Sequence, residues 1–191
     1  MMTNPYIRTC PYEPALRLAQ KGKPTSKTRE LVVCACREDL AWIKEVPPEI
    51  KVTVYSKGLP YQDAILLPNF GLDSHAHLKH IADNYDRLKD ITYFCQGNPF
   101  DRTFGLLEAI RSLDNVEFVQ FGTDTLDTGP VEPLLADFCQ DLFGWKPTKG
   151  WTFRACCTFG VSRARIQVRP QEFYARCVRM YEQESSYGHY G

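Results

Sequence analysis

Three of the four histidines in this chain lie within six consecutive residues, close to a carboxylate. They are His75, His77 and His80, and Asp73 comes just before them. Residues three and four apart share a face of a helix, so a helix that begins near Asp73 places four polar residues on one stripe. The stripe consists of Asp73, His77, His80 and Asn84. Histidines at this spacing can bind one divalent ion, which makes the stripe a candidate metal site.

Two other interpretations of this stretch stay open. The chain lacks the His-Glu-x-x-His signature of a zinc helix, and a polar stripe on a helix usually faces solvent. Alternatively, the start of the helix faces a ligand, because Gly71 permits a tight turn and the first helical turn offers free N–H groups to an anion. Asn69 lies in this turn.

The apolar run ITYFCQG at 91–97 leads into a second group of polar residues, namely Gln96, Asn98 and Asp101. Hard oxygen ligands after a central strand can hold Mg²⁺ or Mn²⁺ against a diphosphate. This strand ends in amides rather than in a pair of carboxylates. A turn in which Asp101 caps the next helix is therefore the competing interpretation.

A third candidate is the loop GTDTLDTGP, in which Asp124 and Asp127 lie three residues apart. Two carboxylates at this spacing could bind a cation or supply a base for a sugar hydroxyl. Aspartates are also common in ordinary surface turns, because their side chains accept hydrogen bonds from the nearby backbone. The spacing alone does not separate these two roles.

Arginines in the last third of the chain form the fourth candidate. The planar guanidinium group suits bidentate recognition of phosphate, although arginines at strand edges usually face water. The residues are Arg154, Arg163, Arg165 and Arg169. The absence of Gly-x-Ser-x-Gly, P-loop and Gly-x-Gly-x-x-Gly motifs disfavours a serine hydrolase, an ATPase and a standard dinucleotide-binding protein.

Composition and length favour an ordinary globular domain. The 191 residues are 43% apolar and 24% charged, with no net formal charge, so no long-range field attracts nucleic acid or an anionic membrane. We find no apolar run long enough to span a bilayer and no apolar segment typical of a secretory signal, and expect a soluble, cytoplasmic protein. None of the eight cysteines forms a Cys-x-x-Cys pair, which favours small buried thiols.

The elements that must position these residues alternate between strands and helices. Strands are predicted at 31–36, 50–58, 64–68, 91–97, 116–122 and 151–162, and helices at 37–46, 73–88, 102–113, 131–144 and 170–184. This alternation predicts a three-layer α/β/α sandwich around a mostly parallel central sheet. We expect an N-terminal arm at 1–29, one domain at 30–184 and a frayed tail at 185–191. In such sheets ligands bind beyond the carboxyl ends of the strands.

Three stretches together resemble one known family, called domain of unknown function 3431. They are CREDLAWI, LPNFGLDSHAHLKHIADNYDRLKDITYFCQGNPFD and CCTFGVSRARIQVRPQEFYARC, and the resemblance runs from about Glu30 to Tyr181. Members of the family look like relatives of GT-A glycosyltransferases, in which a nucleotide-sugar lies above the first strands. The chain departs from the family pattern at Leu72, where an arginine is usual, and Gln96-Gly97 stands where GT-A enzymes usually carry Asp-x-Asp.

The resemblance implies a GT-A-like enzyme that moves a sugar from a nucleotide-sugar to a hydroxyl acceptor, such as a glycan, with Mn²⁺ or Mg²⁺ as a possible cofactor. Asp39 and Lys57 would lie near the nucleotide, and Asp73 and His77 would face the donor. The other implied substrate ligands are Asn69, Gln96, Asn98 and Arg163. Asp101 and His80 would hold the metal, and Asp124 or Asp127 would act as the base.

Two rival functions fit the same residues. A non-catalytic module that binds a nucleotide or a glycan would keep the fold without the metal carboxylates. A metal-dependent hydrolase would use the histidine cluster instead.

Overall fold

The computed structural model describes residues 27–183, with gaps at 102, 104, 114, 123, 124, 128, 132, 151 and 155. For residues 125, 127, 134, 135, 153 and 154 only the main chain is described. Most of the predicted N-terminal arm and the predicted tail lie outside the described residues.

Strands in the described part of the chain are β1 (Arg29–Ala35), β2 (Lys51–Ser56), β3 (Ile65–Leu66), β4 (Ile91–Gln96), β5 (Phe118–Gln120), β6 (Thr125–Asp127), β7 (Thr152–Arg154) and β8 (Phe159–Ser162). Six of them form one sheet in the order β3, β2, β1, β4, β8, β5. Strands β1 to β4 are mutually parallel, and β8 runs antiparallel to both of its neighbours, β4 and β5. The predicted α/β class with a mostly parallel sheet is confirmed.

The helices are α1 (Leu72–Asn84), α2 (Leu106–Ser112), α3 (Pro133–Phe143), α4 (Arg163–Ile166) and α5 (Gln171–Gln183), with short 3-10 turns at Ala41–Glu45 and Tyr85–Arg87. The helix predicted at 37–46 is only the first of these 3-10 turns, because residues 37–40 form a loop in which the Glu38 carboxylate accepts hydrogen bonds from the Cys36 and Arg37 N–H groups.

Helices cover both faces of the sheet, because side chains alternate along each buried strand. On one face, Leu31 and Val33 of β1 pack with Leu106 and Ile110 of α2. On the other, Val32 and Cys34 pack with residues of α1, α4 and α5, namely Ala76, Ile81, Ile166, Tyr174 and Val178. The two cores confirm the predicted layering of helices about a central sheet.

The long strand predicted at 151–162 is wrong, because the chain breaks in its middle. Cys156 has a φ of 103°, which a regular strand does not adopt. The segment before the break, β7, pairs with β6 in a separate two-stranded sheet, and the segment after it, β8, enters the main sheet.

All seven cysteines in the described residues are free, and four of them, Cys34, Cys95, Cys139 and Cys177, are buried. This agrees with the predicted small buried thiols for those positions, while Cys10 lies outside the described residues. None of the helices described here is both long and apolar enough to cross a membrane.

We expect Gly160→Ala to destabilise the fold by about 1 to 3 kcal/mol, since overpacking a filled core costs that much. A Cβ at this position would lie 2.8 Å from the Cδ1 and Cε1 atoms of the Tyr93 ring, which is fully buried and cannot retreat. Urea denaturation measures the change. Val168→Ala is the control, because Val168 is 70% exposed and should alter the free energy of unfolding by less than about 0.5 kcal/mol. Equal stabilities of the two variants would contradict the packing argument.

Candidate functional site

The strand order reverses between β1 and β4. The chain passes from β1 outward to β2 and β3, and then returns through α1 to the other side of β1. In open α/β sheets, ligands bind in the crevice beyond the carboxyl ends of the strands at such a reversal. The candidate site is therefore formed by the loops after β1, β2 and β4, together with the start of α1.

The loops after β1 and β4 are held against one another. The Glu38 carboxylate accepts hydrogen bonds from the N–H groups of Cys36 and Arg37, at 2.7 and 2.9 Å. A Cβ at Gly97 would lie 2.8 Å from Oε2 of Glu38, so only a glycine allows this approach. Trp42 adds a hydrogen bond from its Nε1 to the Gly97 carbonyl at 2.8 Å. Burial opposes ionisation of Glu38, but the N–H donors outweigh it and lower the pKa of the carboxyl.

The loop after β2 is braced by a buried lysine. The Nζ atom of Lys57, which is 7% exposed, donates to the carbonyl oxygens of Phe70 and Leu72. Those carbonyls flank the turn where α1 begins, in which Gly71 and Leu72 have φ values of 63° and 45°. Since a left-handed φ is unfavourable for leucine, the contacts with Lys57 help to hold the turn in place.

Asp73 lies in the first turn of α1 beside Lys57 and the thiol of Cys34, with which it shares a hydrogen bond. Burial raises the pKa of Asp73, and the Cys34 hydrogen bond and the Lys57 charge offset this only in part. Burial likewise lowers the pKa of Lys57, although Cys34 and Asp73 oppose the effect. The structure thus brings together two predicted site residues, Asp73 and Lys57, and adds Cys34.

Gln96, Asn98 and Asp101 also lie together, at the end of β4. The Nε2 atom of Gln96 donates to the main-chain oxygen of Asn98 at 2.7 Å and to Oδ1 of Asp101 at 3.0 Å. Asn98 and Asp101 are exposed, whereas Gln96 is half-buried. The side-chain oxygen atoms of Asn98 and Asp101 are thus available to a ligand at the carboxyl edge of the sheet.

Asp39 and Asn69 are exposed at the same edge of the sheet. The Asp39 carboxylate accepts a hydrogen bond from the Ala41 N–H at 2.9 Å, so it also caps the 3-10 turn that follows β1. Asn69 lies in the loop between β3 and α1.

The solvent-facing interpretation of the histidines is wrong. His75, His77 and His80 have exposures of 0%, 4% and 0%, because this side of α1 packs on the sheet and on α5. His77 contacts the rings of Phe94 and Phe159, at centroid distances of 5.0 and 5.9 Å. The missed signal is that imidazole rings can occupy core positions beside aromatic residues, which a polar/apolar pattern does not reveal.

The predicted metal pair of His80 and Asp101 is not brought together. His80 contacts Tyr55 through Nδ1 at 3.2 Å, and its Nε2 lies 3.7 Å from Oε2 of Glu30 at the start of β1. Asp101 follows the opposite, carboxyl end of β4, so the length of about five strand residues, roughly 16 Å, lies between them. Within the described residues, no group of three or more His, Cys, Asp or Glu side chains could hold a metal ion.

The buried His80 side chain lies beside a second buried polar group, the carboxylate of Glu30. This carboxylate is 2% exposed and binds the Lys51 ammonium group and the Thr53 hydroxyl, both at 2.7 Å. Glu30 was not among the predicted site residues, because it was expected at the edge of the domain rather than inside a strand. The network is structural, since it lies away from the carboxyl ends where ligands bind.

The remaining predicted residues lie elsewhere or outside the description. Arg163 forms an ion pair with Asp90 at 2.5 Å and donates to the Leu88 carbonyl at 3.2 Å, which ties α4 to the amino end of β4. Asp124 lies outside the described residues. Asp127 ends β6, and its side chain is not among those described.

The family model described as Protein of unknown function (DUF3431) matches residues 31–120, which run from β1 to β5. The resemblance to this family is therefore supported over that range, which contains Glu38, Lys57, Asp73 and Gln96. No curated protein and no solved structure matches the chain.

We expect the buried histidines to make the fold acid-sensitive between pH 6.5 and 5. Burial lowers the pKa of His77 to about 3, whereas an unfolded histidine titrates near about 6.5. As the pH falls below that value, the unfolded chain takes up a proton that the folded chain does not, and stability is lost. His77 alone should remove about 1.5 kcal/mol over this interval. Urea denaturation across this range should show a steeper pH dependence for the native chain than for His77→Phe, and identical slopes would contradict the assignment.

Proposed function

We propose that the chain binds a nucleotide-sugar at the carboxyl edge of its sheet and transfers the sugar to a hydroxyl acceptor, as a GT-A-like glycosyltransferase. The observation that carries the proposal is the position of Asp73. A half-buried carboxylate with a raised pKa lies at the carboxyl edge, close to the strand-order reversal where α/β sheets bind ligands.

The loops after β1 and β4 supply the surroundings of the nucleotide. Phe100 is 43% exposed and packs edge-on against Trp42 at a centroid distance of 5.3 Å, so it offers an aromatic face to a base. Arg37 and Asp39 are exposed on the facing loop and can contact ribose or phosphate. Asn69 lies beyond β3 at the same edge.

The diphosphate and its cation are assigned to the end of β4. Mg²⁺ is usually held by one or two carboxylates together with substrate phosphates, and Asp101 with the amide oxygen of Asn98 fits such a partial set. A divalent ion bound there would offset the negative charge of the diphosphate. Gln96 orients Asp101 through its 3.0 Å hydrogen bond.

Asp73 is assigned the role of general base toward the acceptor hydroxyl. A base works best when its pKa lies near the working pH, and burial shifts the pKa of Asp73 upward, in that direction. Lys57 stays beside it and stabilises the charged form. In this proposal His77 does not contact the nucleotide-sugar, because its side chain is buried. Asp127 is the second candidate for the base.

A non-catalytic module of the same fold is the second candidate function. The end of β4 carries amides at Gln96 and Asn98, and the carboxylate of Asp73 already has a partner in Cys34. Such a module would bind a nucleotide or a glycan without turning it over.

The donor is identified by thermal unfolding of the purified chain with UDP, GDP, CMP and their sugar conjugates, each with and without Mn²⁺. A ligand that binds only the folded state raises its stability by mass action. We expect one nucleotide to raise Tm, and Mn²⁺ to enlarge the shift. Absence of a shift with every nucleotide would contradict the proposed donor site.

Asp73→Asn should lower sugar transfer at least about 100-fold, the usual loss when a general base is removed, while donor binding persists. Transfer is measured as nucleotide release in the presence of an acceptor. The matched control is Asp83→Asn on the same helix, because the Asp83 side chain is 51% exposed and forms an ion pair with the surface residue Lys79. Full activity of Asp73→Asn would exclude it as the base, and donor binding without turnover in the native chain would favour the non-catalytic module.

A further inference from the structure

Helices α1, α3 and α5 line an open pocket of about 300 Å³ beside β8. Its walls are mainly apolar, and four phenylalanines line it: Phe138, Phe143, Phe159 and Phe173. A volume of this size lies at the lower end of the range for small-molecule sites, which are typically apolar with a few placed polar groups. The pocket is therefore suited to a small molecule with an apolar body.

Three of the polar side chains in the pocket bind one another. The Ser74 hydroxyl forms hydrogen bonds with the Cys157 thiol and with the Tyr181 hydroxyl. Ser74, Cys157 and Tyr181 all line the pocket, on three different elements of the chain. Their mutual contacts satisfy them without a ligand.

His77 is the exception among the polar groups of the pocket. Its side chain is 4% exposed, and its Nε2 atom is buried without a hydrogen-bond partner. A polar atom left in this condition is unfavourable, because burial removes water and nothing replaces it. The ring lines the pocket, so a molecule inside the pocket can supply the missing partner.

The position of the proton on the His77 ring determines which chemical group can be its partner. His77 also forms a hydrogen bond with the main chain of Cys95, and this bond favours the charged ring, so the imidazole N–H is its donor. Because Nε2 is unpartnered, the donor is Nδ1. In a neutral imidazole the other nitrogen then carries a lone pair, which makes Nε2 an acceptor. The complementary group is a hydroxyl or an N–H.

We propose that this pocket binds a small apolar alcohol or phenol, whose hydroxyl donates a hydrogen bond to Nε2 of His77 while its apolar body packs among the four phenylalanines. The site is independent of the proposed transfer reaction. It requires neither a nucleotide nor a metal ion, so its test stands whether or not the chain transfers sugar.

The test compares 4-hexylphenol with 4-hexylanisole, its methyl ether, by isothermal titration calorimetry on the full chain. The two probes have similar apolar bodies, but only the phenol can donate a hydrogen bond. We expect the phenol to bind about tenfold or more tightly than the ether, because the ether leaves the buried acceptor unpaired. In His77→Phe, which keeps a ring but removes the acceptor, the two probes should bind equally.

Two further measurements do not depend on the folding of that variant. In the native chain, the ¹⁵N resonance of His77 Nε2 should shift with the phenol and stay unchanged with the ether. Phe143→Asp should abolish binding of both probes, since Phe143 is 44% exposed at the edge of the pocket and tolerates a charge. Absence of binding by either probe, equal affinities in the native chain, or an unmoved Nε2 resonance would each overturn the proposal.

Discussion

Strand β1 is the constraint on which the rest of the structure depends. All seven of its residues, Arg29–Ala35, are buried, and it pairs with β2 on one edge and with β4 on the other. A strand covered on both faces must carry apolar side chains in both directions, and it fixes helix layers above and below the sheet. The carboxyl end of β1 therefore brings the loop with Glu38 next to Gly97 after β4. The pairing of β1 with β4 therefore determines the geometry of the candidate site.

Burying so much of the sheet requires that the polar groups inside it find partners. At the amino end of β1, the Glu30 carboxylate forms an ion pair with Lys51, accepts a hydrogen bond from Thr53 and lies near Nε2 of His80. At the carboxyl end of the sheet, the Lys57 ammonium group donates hydrogen bonds to two carbonyl oxygens and lies near the charge of Asp73. The first arrangement fastens a strand to a helix. The second fastens a loop to the start of the same helix, so α1 is held at both ends by buried charge.

Much of the fold could be predicted because β1 and β4 are short apolar runs with clear ends, because β2 alternates apolar and polar residues, and because α5 has apolar residues at helical spacing. The burial of the histidine side of α1 could not be predicted in this way. Whether an imidazole faces water or Phe94 depends on what the sheet presents, which lies far away in the sequence. The break at Cys156 was equally hidden, because a left-handed φ at a cysteine has no local sequence signal. Of the candidate site, Asp73 was predicted from the polar stripe of its helix and Lys57 from the family resemblance, whereas Cys34 was missed because apolar runs make thiols look inert.

The place of β8 in the sheet has a consequence for how this chain folds during synthesis. β8 lies between β4 and β5, yet it follows β5 by almost forty residues, from Gln120 to Phe159. Until residue 162 has left the ribosome, the outer edge of β4 lacks its partner and β5 cannot join the sheet. An exposed edge of this kind, in an apolar strand, is a site for aggregation. The segment 31–120 that the family model matches therefore contains most of the strands without the one that closes the gap between them. Completion of the core depends on a late, long-range pairing, which makes folding slow relative to a chain of local contacts.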